Sequence, residues 1–326
     1  MANSNAQAIA DKPPSWTARM VAYDVADGLP SFAPARLQTI FNALMPPETV
    51  ELTARLLDNV PKKLPFYSQL LLLLRTLTVF LRRKFLRYLA SDQSYLNVAI
   101  RKRIFYDEVE AAIKAGVEQV LILGAGYDVL CLQLHRKYPH VLFVEVDQQN
   151  TQRIKRQAVA DVCGGTLSAN YAFVSVDFRY QSLETELESQ LAGAWKPQRK
   201  SIAVVEGVWP YLTEPAIQES LRAFRRISAA GSAYVFTYFV LGGTPLQQKL
   251  TEESTRVFAW VGEPVRYLPR STQEIEALLG NEGYQVDMSA QRTSGYARYI
   301  VPAGFDDYVK PERVLSNYVG VAHSLA

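Results

Sequence analysis

From about residue 119 onward, short, mostly apolar runs alternate with stretches in which apolar positions recur every three or four residues. The runs are 120–123, 141–146, 171–176, 201–205 and 233–240, and each is short enough to be a strand buried on both faces. Between them, 151–159, 182–191, 214–227 and 271–279 read as helices. The pairs 284–288 and 296–301 read as the last two strands, and the tail from Asp306 as helical. Strand and helix alternating in this way predict an α/β fold: a Rossmann-like, doubly wound, mainly parallel sheet of seven strands. Residues 1–15 are polar and end in Pro13-Pro14, as a disordered tail does. Residues 16–95 are proline-punctuated and helical, with one helix over 35–44 and another over 47–57. They predict a lid and substrate-binding region on a cofactor-binding domain of 96–326, which carries an insertion at 241–263.

The stretch 65–89 is the most apolar of the chain. Arg75 interrupts it before the roughly 20 apolar residues that a membrane span needs. On a helical wheel Leu70, Leu73, Leu74, Leu77, Leu81 and Phe85 share one side, while Gln69, Arg75, Thr76, Arg82, Arg83 and Arg87 share the other, where Leu72, Val79 and Leu86 intrude. That is an amphipathic helix. It is expected to pack on the domain as lid or pocket wall, and peripheral contact with an anionic membrane is the second reading.

Charge sharpens this. Between Lys62 and Arg103 there are ten basic residues against the single acid Asp92, in a chain whose formal net charge is only +3. The low total gives no reason to expect a nucleic-acid partner. Cys131 and Cys163 form no disulfide framework or zinc spacing. The first residues lack the charged and apolar regions of a secretory leader. A reducing, cytoplasmic setting is the expectation.

The chemistry concentrates where the strands end. The run 120–123 stops at Gly124-Ala125-Gly126, a helix follows, and the next strand ends in Asp147. Glycine turn, helix, strand and terminal carboxylate within about 30 residues make a nucleotide-binding βαβ unit. Asp147 is placed to accept ribose hydroxyls, with Glu145 on the same strand face as the fallback. The third glycine of a dinucleotide fingerprint is missing, because Val129 stands there. Asp177 and Glu206 close the third and fourth strands. Ligands of open α/β sheets bind at such carboxyl ends. Three acids there would repel a pyrophosphate and suit a ligand bearing hydroxyls, an amine and a sulfonium, so S-adenosylmethionine is favoured over NAD. The three histidines, His135, His140 and His323, lie away from these tips.

With these blocks in view, the chain resembles the leucine carboxyl methyltransferase family of class I S-adenosylmethionine-dependent methyltransferases. It is most like the bacterial branch of polyketide and other small-molecule O-methyltransferases. The resemblance rests on 101–107, on 119–128 (QVLILGAGYD), on 143–147 (FVEVD), on Asp177-Phe178, on 205–213 (VEGVWPYLT) and on the Gly-Glu-Pro segment from Gly262. It implies that Arg101 pairs with the cofactor's methionine carboxylate and that Gly124 and Gly126 form the cofactor loop. Asp147 would hold the ribose, Asp177 and Phe178 bound the adenine, and Glu206 face the methionine amino group. Tyr211 would stand on the substrate side. After Gly-x-Asp the family usually continues Thr-Arg, with a further Arg before a Leu. Val129, Leu130 and Gln133 replace them, so whatever those polar side chains do in substrate capture or loop anchoring is expected to be lost.

The expected activity is methyl transfer to an oxygen, a carboxylate of a small or lipophilic acid, with Arg75 and Arg103 as candidates for holding that acid. The alternatives are an NAD(P)-dependent oxidoreductase and a non-catalytic protein that binds S-adenosylmethionine. No metal and no catalytic base is assigned.

Overall fold

The computed structural model describes residues 15–29, 33–60, 92–178, 180–241, 262–286, 295–309 and 318–325, with isolated positions between 248 and 259. The polar tail, the amphipathic stretch 65–89 and its Arg75, and most of the 241–263 insertion lie outside the described residues.

Three helices, α1 (Trp16–Asp27), α2 (Ala35–Leu44) and α3 (Thr49–Asp58), precede the long α4 (Asp92–Lys114). Then come β1 (Gln119–Leu123), α5 (Leu130–Leu134), β2 (Leu142–Asp147), α6 (Gln149–Val162), β3 (Tyr171–Ser175), α7 (Leu183–Leu191) and β4 (Ser201–Val205). After a 3₁₀ turn (Trp209–Tyr211) follow α8 (Glu214–Arg226), β5 (Ala233–Tyr238), α9 (Thr272–Asn281), β6 (Tyr284–Gln285), a π-helical turn (Tyr296–Ile300) and β7 (Tyr318–Ser324).

The seven strands form one sheet in the order β3-β2-β1-β4-β5-β7-β6. The first five are parallel, and β7 runs antiparallel to both β5 and β6. Every residue of β1, β4 and β5 is buried, which is why these segments read as mostly apolar runs. Alternation divides them between two cores. Val120, Ile122, Ile202 and Val204 face the core shared with α1–α6. Leu121, Leu123, Ala203 and Val205 face the core shared with α7, α8 and α9. The N-terminal helices thus belong to one face of the sheet, α1 packing on α3 and α4, and α3 on α5 and α6.

The C-terminal expectations need correction. Residues 296–301 are a π-helical turn rather than a strand. Tyr296, Tyr299 and Ile300 recur at helical spacing, and Tyr299 donates a 2.9 Å hydrogen bond to Asp107 on α4. In the tail expected to be helical, 318–324 is instead the inserted antiparallel strand, and 310–317 lie outside the described residues. Gly320 fits beneath Phe236, where a Cβ would lie 2.4 Å from the ring.

Candidate functional site

The strand order reverses between β1 and β4, so their two following loops diverge and leave a crevice at their carboxyl ends. Gly124 ends β1 with φ +70°, and a Cβ there would lie 2.4 Å from Val208 in the loop after β4. Only glycine tolerates both that backbone and that approach. Gly126, at φ +47°, meets α1 in the same manner, with Ala18 Cβ 2.9 Å from the position of its missing side chain. The glycine turn is thus pressed between the β4 loop and the N-terminal helix.

Asp147, at the tip of β2, reaches back to this turn. Its Oδ2 accepts from Gly126 N–H at 2.6 Å and its Oδ1 from Gln148 N–H at 2.7 Å. Each oxygen keeps lone-pair capacity for a further donor. Burial holds its pKa above the usual carboxylate range, against the pull of those two N–H groups. Beside it, the hydroxyl of Tyr127 is buried with no hydrogen-bond partner among the described residues. Glu145 is not available as a substitute. It is fully buried in the core, with Lys155 Nζ 2.6 Å from its Oε2 and the Tyr171 hydroxyl donating to its Oε1 at 2.7 Å. Lys155 also donates to the Ala125 carbonyl at 3.3 Å, tying α6 to the glycine turn from below.

Glu206, just past β4, is bound from α4. Arg101 Nε donates to its Oε1 at 2.7 Å and Lys102 Nζ to its Oε2 at 2.9 Å. Lys102 Nζ also donates to Asp128. These four side chains are only 10–15% exposed. Asp128 Oδ1 in turn accepts from Leu130 N–H at 2.7 Å, at the start of α5. Burial acts to raise the Asp128 pKa, but Lys102, Lys155 and the Leu130 N–H together hold the carboxyl below its ordinary value. For Lys102 burial works downward, and Asp128 and Glu206 together carry its pKa upward.

Asp177 is buried beyond the tip of β3, with Phe178 half-buried beside it. Tyr211 closes the 3₁₀ turn anchored by Trp209, whose ring stacks on Phe236 at 4.2 Å. Burial pushes the Tyr211 phenol up to about 12, although a hydrogen bond with Thr17 of α1 acts in the opposite direction. Thr17 also donates to Glu263, through its hydroxyl and through its backbone N–H at 3.2 Å.

The predicted residues therefore gather at one edge of the sheet: Arg101 with Glu206, Gly126 with Asp147, and Gly124 against the Glu206 loop. Arg103 stands apart, committed to Asp107 at 3.0 Å. Gln133, one of the three residues that depart from the family pattern, is itself engaged. Gln133 donates to the Pro47 carbonyl at 2.6 Å and to Thr49 at 2.8 Å, anchoring α3 to α5. Sequence reasoning did not assign Lys102, Asp128, Thr17 or Glu263. Asp128 and Glu263 stand within matched blocks, and Lys102 directly follows Arg101. Nothing local marks Thr17. Among the described residues no group of side chains could hold a metal ion, and no helix is long and apolar enough to cross a membrane.

The model of the leucine carboxyl methyltransferase family matches residues 83–225. A protein of Mycobacterium ulcerans named "Putative S-adenosyl-L-methionine-dependent methyltransferase" is 32% identical over 136 residues, which are 42% of this chain and 40% of that protein. Similarly named proteins of Mycolicibacterium smegmatis and Frankia alni are 27% and 31% identical, over 65% and 56% of this chain and 69% and 65% of their own. The chain spans about half the length of the first of these curated relatives, from 40% to 59%. Among solved structures, a DUF574 family protein of Streptomyces avermitilis aligns at TM-score 0.55 and 14% identity, over 97% of this chain and 99% of its own. The crystal structure of a "putative methyltransferase" from Thermobifida fusca aligns at TM-score 0.50 and 18% identity, over 98% of both chains. At such identities the likeness is one of fold: the seven-stranded, Rossmann-like architecture.

Proposed function

We propose that this chain, which belongs to the leucine carboxyl methyltransferase family of S-adenosylmethionine-dependent methyltransferases, methylates an oxygen of a small or lipophilic acid, its carboxylate. One observation carries the reading. At the switch point a guanidinium and a carboxylate, Arg101 and Glu206, stand together beside Gly124, with the Asp147 carboxylate on the neighbouring strand tip. A zwitterionic amino-acid group and a ribose are what that set complements.

The residues present fit S-adenosylmethionine. Arg101 holds the methionine carboxylate and Glu206 the amino group. Asp147 accepts from the ribose, with Tyr127 as a free neighbouring hydroxyl, and Asp177 and Phe178 bound the adenine. When bound, the cofactor supplies a methyl group made electrophilic by its sulfonium charge. The remaining work is orientation and exclusion of water, and orientation alone can lower a barrier by roughly 7–11 kcal/mol.

A carboxylate acceptor is ionised at neutral pH and needs no proton removed. Tyr211, pushed up to about 12 by burial, keeps its proton at neutral pH. It can donate a hydrogen bond to an acceptor and is a poor base. α1 roofs this side through Thr17, which fixes Tyr211 and Glu263 relative to the glycine turn.

Calorimetry with S-adenosylmethionine, S-adenosylhomocysteine and NAD tests the cofactor. Binding of the first two without NAD is expected, and failure to bind either refutes the reading. Pooled acids with methyl-labelled cofactor then test the acceptor. A carboxyl methyl ester releases its label as methanol in mild alkali, whereas an alkali-stable product would refute carboxylate transfer.

A further inference from the structure

The ion pair that complements the cofactor's amino-acid end belongs to a larger cluster. Arg101 and Lys102 are consecutive on α4, and they reach the crevice from the same helical turn. Glu206 has one oxygen for each: Oε1 faces Arg101 at 2.7 Å and Oε2 faces Lys102 at 2.9 Å. The second partner of Lys102 is Asp128, whose other oxygen caps the first turn of α5 at 2.7 Å. Two cations and two anions are thus enclosed together, and their formal charges cancel. Lys102 is the joint, because it alone spans both carboxylates and so links the loop after β1 to the loop after β4.

We infer that Lys102 is a positioning residue for the zwitterionic end of the cofactor. It holds Glu206 in place by the oxygen that Arg101 does not use, and it balances the cluster so that the site accepts an amino-acid group of zero net charge. The inference rests on the assignment of Arg101 and Glu206 to the methionine carboxylate and amino group. On that assignment, Arg101 exchanges Glu206 for the ligand's carboxylate, and Glu206 exchanges Arg101 for the ligand's ammonium. The exchange leaves each charge partnered only if Glu206 and Asp128 keep a common cation throughout. Without Lys102, Glu206 is left with one guanidinium, and Asp128 with no ion-pair partner in contact, only the field of Lys155. Glu206 then either keeps Arg101, leaving the ligand's carboxylate without a partner, or is left beside Asp128 as an unbalanced like charge. On the same assignment the adenosine half would be held by Asp147, whose carboxylate accepts from Gly126 and Gln148, and by Asp177 at the next strand tip.

That division gives the test. S-adenosylhomocysteine carries the amino-acid group, and 5′-methylthioadenosine lacks it while keeping the nucleoside and sulfur. Both are titrated calorimetrically into the full chain and into Lys102→Met, with melting temperatures recorded alongside. Lys102→Met is expected to weaken S-adenosylhomocysteine by at least about tenfold, as loss of a charge-assisted contact does, and to leave 5′-methylthioadenosine within about twofold. Lys102→Arg restores the first affinity. Lys102→Met/Asp128→Asn, which removes one charge of each sign and keeps a capping side chain for α5, recovers part of it. Should Lys102→Met fail to fold, Lys102→Gln carries the same comparison. Parallel loss of both nucleosides would show a merely structural lysine, and unchanged S-adenosylhomocysteine affinity would show no role; either overturns the inference. A wild-type chain that binds neither nucleoside would instead fail the cofactor assignment, and the inference with it.

Discussion

Lys155 and Glu145 are the only ion pair among the described residues with both side chains fully enclosed, 2.6 Å apart under the glycine turn. Lys155→Met keeps the length of the stem and removes the charge. Glu145 is then left with the Tyr171 hydroxyl as its hydrogen-bond donor. Breaking one side of a buried pair costs about 3–5 kcal/mol. With an unfolding entropy of about 2.1 cal/mol/K per residue over 326 residues, that lowers the melting temperature by roughly 4–7 °C. The deficit depends on pH in a defined direction. Burial raises the Glu145 pKa in the folded state, with Lys155 and Tyr171 opposing it. Loss of Lys155 removes the largest opposition and raises it further. A group with a raised folded pKa binds more protons when folded, so its contribution is fully present below its unfolded pKa and is lost as pH rises through the folded one. The gap between Lys155→Met and the wild type should therefore widen from pH 5 to pH 8 in urea denaturation. Glu145→Leu/Lys155→Met removes both charges and should recover at least about half of the loss at pH 8. A single variant melting within about 1 °C of wild type, or a double variant no better than the single, would refute this account of the pair.

Gly124→Ala places a Cβ 2.4 Å from Val208 on a backbone at φ +70°; at least a tenfold loss of S-adenosylhomocysteine affinity is expected (about 1.4 kcal/mol), with Val208→Ala relieving part of it, as read by calorimetry. Asp147→Ala should weaken S-adenosylhomocysteine and 5′-methylthioadenosine together by roughly tenfold to a hundredfold, the size of one or two lost charge-assisted hydrogen bonds. Because burial raises the Asp147 pKa, wild-type affinity should fall on acidification at a higher pH than an ordinary carboxylate would give, a step that Asp147→Asn lacks. Glu263→Gln keeps an acceptor for Thr17 and removes the carboxylate nearest Tyr211. With an acid as methyl acceptor kcat should stay within about threefold, whereas a collapse of more than about a hundredfold would identify Glu263 as a base and the acceptor as a hydroxyl.

The parallel half of the sheet was legible because its central strands β1, β4 and β5 are buried on both faces, so each appears as a run with few polar positions. The antiparallel end was not. In β7 the residues that approach Phe236 and the second core are Gly320 and Ala322, chosen for size rather than β-propensity, and they dilute the signal that Val319 and Val321 carry. The stretch 296–301 reads as a strand in the sequence, yet the spacing of Tyr296, Tyr299 and Ile300 is helical. At the site, the strand-tip acids could be found because position alone gives them meaning. The pairing of Lys102 with Asp128 and Glu206 joins residues 26 and 104 positions apart, and the roof from Thr17 to Glu263 joins residues 246 apart. Such contacts are products of the tertiary fold.

The distinction between a dinucleotide and an adenosylmethionine site turns on what occupies the start of α5. In a pyrophosphate site the helix after the glycine turn offers free N–H groups and the positive end of its dipole to the ligand. α5 has only the five residues from Leu130 to Leu134, and its Leu130 N–H is taken by Asp128 Oδ1 at 2.7 Å. Val129, standing where a third glycine would allow close approach, is buried in the core. A pyrophosphate would thus meet a carboxylate instead of amide hydrogens, and the cation paired with that carboxylate, Lys102, is already shared with Glu206. The same arrangement favours a cationic sulfonium beside an amino-acid group, because its acids and bases are paired and balanced before the ligand arrives. Replacing Val129 by glycine would therefore create no NAD affinity, because Asp128 and not the missing third glycine is what closes the anion site. Measurable NAD binding by Val129→Gly would refute that reasoning, and binding by Val129→Gly/Asp128→Ala but not by the single variant would support it.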